Sequence, residues 1–396
     1  MRIPTELVGS LPRPVYLQQA YTNYDTGKIT REEFVEVQDR AVGDTLTRLK
    51  ETGETNITDG DQRAVGFLLY PLVETIGGFR KITDTIAPDG VVWPFDGHFR
   101  QTPRIVKGPF KYRNYAWKNF ERSIVQSKGY PMKQAVISPS FIYLLYPIDR
   151  ELPGYPRKRF MDDIVDECEK DIRGCFVAGA KRVSIDFTEG RVALKNDPHH
   201  PWTGANLLDI FITLNNRVLD RFTPVERVNI GVHTCPGGDR DTSHSLEVPY
   251  HALIPSLFKL NAGYFLMQLA SHTPDIRTSV YREIGKHIRR DASGVKQVAF
   301  IGVIDTLNPK IETPEQICES LLEASKYIPI DQLGATDDCG FSPMADDIKP
   351  KHGGNPDLAR DVAFAKIAAR IKGVKMASEK LRAYARSSVR RSLTSL

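Results

Sequence analysis

Val228-Asn229-Ile230-Gly231-Val232-His233-Thr234-Cys235 is the stretch on which the reading of this chain turns. Its β-branched, apolar body reads as a buried strand, and its polar end is not what packing would select. Seven further runs share that character: Glu6–Leu11, Asn56–Gly60, Gln134–Ser138, Arg182–Phe187, Tyr264–Leu269, Ala299–Asp305 and Gly334–Cys339. Between them, Arg31–Thr52, Arg159–Ala178, Ala205–Arg221, Pro314–Tyr327 and Pro356–Ile371 carry helical periodicity. Eight strands alternating with helices predict an α/β fold, a single (β/α)8 TIM barrel.

The segment Ala64–Met132 is too long for one β-α connection and is rich in aromatics, Gly and Pro. It is expected to be an insertion between strands two and three, a hairpin plus a helix lying over the barrel mouth. The barrel is expected to occupy residues 1–380, with 381–396 a polar, basic tail that frays. At 396 residues, 41% hydrophobic and 26% charged, the chain has the composition of a globular protein and not of a disordered one. A net charge of +5 from 54 basic and 49 acidic residues gives no reason to expect nucleic acid. Neither an apolar leader nor a membrane span is visible, so a cytoplasmic location is expected. Five cysteines are too few and too odd for a disulfide framework, which leaves a thiol or metal role.

Polar residues gather at five strand ends, and in such a barrel those ends meet at one mouth. His233 and Cys235, two residues apart on an extended segment, point to the same side and can share one ion. Cys339, at the end of strand eight, supplies a second thiolate, and one imidazole with two thiolates is a favoured set for zinc. Cys168, Cys175 and Cys318 fall in amphipathic helices and read as packing. Asp59 and Asp61 flank Gly60 and, with Asp186, suit an amino-bearing or otherwise cationic ligand. His199 and His200, in a Pro-flanked loop, read as surface residues. Cys235-Pro236-Gly237-Gly238 is not a phosphate loop, and its glycines read as room for a tight turn.

Val8-Gly9-Ser10-Leu11-Pro12, Gly60-Asp61, Val183-Ser184-Ile185-Asp186, His233-x-Cys235, Gly302-Val303-Ile304-Asp305 and Asp338-Cys339-Gly340 follow one another as they do in the catalytic barrel of cobalamin-independent methionine synthase. The chain resembles that family over nearly its whole length as a single barrel. It looks closer still to short relatives such as epoxyalkane:coenzyme M transferase. The resemblance implies a zinc ion that binds a thiol substrate as thiolate for attack on an alkyl carbon, with His233, Cys235 and Cys339 as ligands. It also implies that Ser10, Asp61 and Asp186 hold the substrate's amino acid part, Asp61 standing where the family has Glu. Three departures accompany it. Gln268 matches the family's fourth ligand, a Glu, and is either a neutral amide ligand or none; Leu307 matches a His that serves protonation of the departing folate; and Ala64–Met132 shows no clear match to a folate-binding segment.

These readings predict a zinc-dependent S-alkyltransferase acting on a small-molecule thiol and an alkyl donor, an epoxide or another activated carbon. Tyr70, Asp305 and His244 are the candidate acids for the leaving group. Methyl transfer to homocysteine from methyl-folate or methyl-cobalamin is the alternative. In another class is a zinc-bearing barrel that only binds a thiol or a protein partner.

Overall fold

Six of the eight expected strands form one parallel sheet in the computed structural model, which describes residues 2–66, 69–73, 85–95, 98–197, 202, 204–239, 242–291, 293–341 and 356–393. They are β1 (Lys133–Ile137), β2 (Arg182–Asp186), β3 (Ile230–Thr234), β4 (Tyr264–Met267), β5 (Val298–Ile304) and β6 (Leu333–Asp337), each hydrogen-bonded to the next in chain order. Helices Arg157–Val177, Leu207–Leu219, Pro274–His287 and Pro314–Ala324 make four of the five crossovers that parallel pairing requires, and the short helix Ile254–Leu257 lies in the fifth, between β3 and β4. The strands are buried nearly throughout, which explains their continuous apolar runs.

The first two expected strands are reduced. Thr5 makes a single parallel bridge to Ala335 at one edge of the sheet, and Ile57 one to Met132 at the other. Gly9, Pro12 and Gly60 interrupt these segments, and neither Gly nor Pro sustains a ladder. The Leu11 amide nevertheless donates to the Gly60 carbonyl at 3.0 Å, so the two edge segments touch. What the structure establishes is a mixed α/β fold built on a six-stranded parallel sheet.

Within the long segment, Val92–Phe95 pairs antiparallel with His98–Gln101, Ile86–Ala87 pairs with Arg104–Ile105, and Ala116–Ile124 is helical. The last helix corrects an expectation. Begun at Pro356, it runs on past Ile371 to Leu393, because after Gly373 neither Gly nor Pro breaks a series rich in Ala, Lys, Arg and Glu. It packs against Pro314–Ala324, and a side chain at Gly373 would meet Ile317 Cβ at 2.6 Å. Cys168, Cys175 and Cys318 are buried in their helices, as expected of packing residues. No helix among the described residues is long and apolar enough to cross a membrane.

Candidate metal centre

Strand register brings the site together. Asp186 pairs with His233 across β2 and β3, and His233 with Leu266 across β3 and β4, so the three strand ends finish at one level. His233 is buried, and its Nδ1 lies 3.2 Å from the Leu266 carbonyl oxygen. A carbonyl can only accept, so Nδ1 carries the proton and Nε2 presents its lone pair. Nε2 is buried without a hydrogen-bond partner.

Cys235 and Cys339 place their sulfurs 3.3 Å apart, and the candidate ligand atoms of His233, Cys235 and Cys339 all lie within 4.8 Å of one another. Tetrahedral zinc with Zn–S bonds of about 2.3 Å would set two sulfurs about 3.7 Å apart, a few tenths of an ångström from what is seen. The residues therefore fit zinc. The Cys235 thiol, hydrogen-bonded to Cys339, holds Cys339 well below the usual thiol range, and His233 adds to the effect. Cys339 in turn, together with burial, pushes Cys235 well above that range.

The supporting chain is tightly constrained. The Gly237 amide donates to Cys235 Sγ at 3.3 Å. Gly237 has φ +69°, and a Cβ there would come within 1.9 Å of His244 Nε2, so the turn after Cys235 requires glycine. Asp338, beside Cys339, accepts from the amides of Leu269, Ala270 and Ser271 at 2.7–2.8 Å and ties the end of β6 to the loop after β4. Burial, with Asp305 nearby, nonetheless raises its carboxyl to about 7.

Of the two aspartates flanking Gly60, Asp59 is engaged, accepting from Ser123 Oγ at 2.6 Å. Asp61 sits at φ +56° and is half-buried; burial, Asp59 and Asp186 raise it to about 7. Asp186 is raised by burial to about 6 against the pull of His233 and Lys133, and its Oδ1 has no partner. Ser10 lies against Gly340, where a Cβ would stand 2.0 Å from its Oγ.

The three candidate acids separate. Tyr70 donates its hydroxyl to Asp171 Oδ2 at 2.7 Å and accepts from the Ile137 amide, so its proton is already committed. His244 is buried against the rings of Trp93 and Phe95 and hangs over Gly237, beside the metal residues. Asp305, at the end of β5, accepts from the Leu307 amide and lines an open cavity of about 550 Å³ between helices Pro274–His287 and Pro314–Ala324. His199 and His200 lie outside the described residues.

Gln268 is engaged by a cation: its Oε1 accepts from Arg191 Nη1 at 2.6 Å. Sequence reasoning missed Arg191, which follows β2 on a short helix where no periodicity points inward. It also missed Glu189, whose Oε1 accepts from Ser138 Oγ at 2.5 Å and from Ser140, and which burial raises to about 7.

No protein-family model matches the chain. Curated relatives do. The methionine synthase of Sulfurisphaera tokodaii is 23% identical over 383 residues, 96% of this chain and 94% of that protein, and that of Sulfolobus acidocaldarius is 23% identical over 391 residues with the same coverage. A solved B12-independent methionine synthase from Shewanella sp. W3-18-1, in complex with selenomethionine, superposes with a TM-score of 0.70 at 17% identity, covering 97% of this chain and all of the other. The chain resembles the B12-independent methionine synthases. The likeness to these methionine synthases runs almost end to end, and for the solved structure it is a likeness of fold.

Proposed function

We propose that this chain is a zinc-dependent thiol S-alkyltransferase of the methionine synthase kind, in which His233, Cys235 and Cys339 hold the metal. The observation that carries the reading is the convergence of one partnerless imidazole nitrogen and two sulfurs from β3 and the end of β6. Zinc, when bound, supplies the Lewis acidity that keeps a thiol of ordinary pKa, about 8.5, in its nucleophilic thiolate form at neutral pH. Cys235 and Cys339 keep such a centre electron-rich, and the Leu266 carbonyl fixes the His233 tautomer. Half-buried Asp61 is raised by burial and by the charges of Asp59 and of buried Asp186, and an ammonium set between the Asp61 and Asp186 carboxyls would relieve their repulsion. That arrangement supports an amino-bearing thiol as acceptor, with Ser10 at its side.

Methyl is the group that relatives named methionine synthase favour. Leu307 cannot donate a proton, which favours a donor whose leaving group needs none, such as a methyl-cobalamin. A strained epoxide donor is the second reading, supported by the neutral Gln268; its leaving oxygen needs an acid, and with Tyr70 committed to Asp171 the candidates are His244 and Asp305. We also propose that the two touching edge segments complete a closed (β/α)8 barrel, with segment 64–132 over its mouth, and that the enzyme works in the cytoplasm. Metal analysis of the purified protein and a panel of thiols with methyl donors and epoxides, read by mass spectrometry, test the function. Zinc near one per chain and an S-methyl adduct support it; stoichiometric zinc with no adduct from any pair would leave only the binding role.

A further inference from the structure

Buried cations in this molecule come with carboxylates. Arg370 meets Glu54 at 2.7 Å, Arg227 meets Asp291 at 3.0 Å, Lys366 meets Glu312 at 2.8 Å and Arg360 meets Asp44 at 2.7 Å. Arg191 is the exception. It is fully buried, yet among the described residues no carboxylate oxygen lies within 4.0 Å of it. Its Nη2 donates to the carbonyls of Leu246 and Val248 at 3.0 and 2.7 Å, its Cζ sits 4.9 Å from the centre of the Tyr250 ring, and its Nε has no partner. The charged or titratable groups that face it are Tyr250, Cys235, Glu247 and Asp338. A guanidinium taken out of water without a counter-charge is costly, so this position calls for negative charge nearby.

The remaining nitrogen, Nη1, donates to Gln268 Oε1. Guanidinium groups cannot accept, so the amide orientation is fixed, with oxygen toward Arg191 and nitrogen donating to Ser271 Oγ. The Gln268 amide N–H continues the ladder to the Thr234 carbonyl at 3.2 Å, which sets Gln268 beside Cys235. Both ends of its side chain are therefore engaged, by Arg191 and by Ser271.

We propose that Arg191 is a positioning residue of the metal centre: it holds Gln268 out of the coordination sphere, leaving a fourth position for the substrate thiolate, and is the buried counter-cation for that thiolate. The inference rests on the zinc reading above. A divalent cation with two cysteine thiolates is neutral, so a third thiolate brings one negative charge, which the guanidinium balances. Arg191 thereby favours a thiolate over water at the open position.

The test uses the full chain loaded with Co2+, with 2-mercaptoethanol as the thiol probe, reading sulfur-to-cobalt charge-transfer absorption, Co2+ affinity and thiol affinity separately. In the unmodified protein, added thiol should strengthen the charge-transfer band in the ratio of three sulfurs to two. Gln268→Ala should leave metal affinity within about threefold, Arg191→Met should weaken thiol affinity about tenfold or more while metal affinity changes less, and Arg191→Lys should retain most of it. Gln268→Glu alone should pair with Arg191 and leave metal affinity near its starting value, whereas Gln268→Glu with Arg191→Met should bind metal about tenfold more tightly. A Gln268→Ala protein that loses metal affinity tenfold, or Arg191→Met and Arg191→Lys proteins that bind thiol equally well, would overturn the inference while leaving the metal centre standing. An unmodified protein that takes up no Co2+ would overturn both.

Discussion

At the starts of the strands, buried charge is matched; at their ends it is matched only in part, where Asp337 meets Arg370 at 2.5 Å. Lys133, the first residue of β1, donates to the carbonyls of Leu7 and Val8 and lies 3.7 Å from Glu6, which also binds Arg182 at 2.5 Å, while Glu54 is paired with Arg370. At the other end, among the described residues, His233 Nε2 and Asp186 Oδ1 have no hydrogen-bond partner and Arg191 no carboxylate within 4.0 Å, and Asp61, Asp186, Glu189 and Asp338 are all pushed up by burial. Satisfied polar groups hold a fold together; unsatisfied ones await something. The difference separates the end that stabilises from the end that we propose reacts.

Breaking the two ends should give opposite signatures. Cys235→Ser or Cys339→Ser should release zinc and reduce turnover to background while melting stays near its starting value, as checked by metal analysis and calorimetry. Glu54→Gln at the other end leaves buried Arg370 with Asp337 as its remaining carboxylate and should cost about 1–3 kcal/mol in urea unfolding, with zinc per folded molecule unchanged.

Asp61 sharpens the comparison through pH. Its carboxyl is raised from 3.8 to about 7, so between those values the folded chain keeps a proton that the unfolded chain has released, and stability falls as pH rises through that window. Asp61→Asn should therefore raise Tm at pH 8, with the gain fading toward pH 4, and should raise KM for an amino-bearing thiol about tenfold. The smallest effect belongs to Tyr70. Tyr70→Phe should cost about 1–3 kcal/mol, because buried Asp171 loses a donor, and leave turnover within about threefold.

The strands that form were legible because burial on both faces writes itself as apolar runs, and the candidate ligand set was legible because His233-x-Cys235, weak alone, is joined by Cys339 at another strand end. What escaped depends on contacts between distant segments. Arg191 meets residues 246, 248 and 268 with no spacing to announce it, and Asp338 acts on three amides some seventy residues earlier. The reduced edge strands and the extension of the last helix to Leu393 turn on where ladders stop and helices go on, which local pattern specifies weakly. Helix Val15–Asp25 carries too little apolar periodicity to stand out.

X-ray absorption at the zinc edge of the purified protein, with and without an amino-bearing thiol, tests the central claim most directly. The account predicts two sulfurs at about 2.3 Å with nitrogen or oxygen completing the shell, and a third sulfur when the thiol is added. A metal surrounded by nitrogen and oxygen alone, or a sulfur count that the thiol does not change, would contradict it.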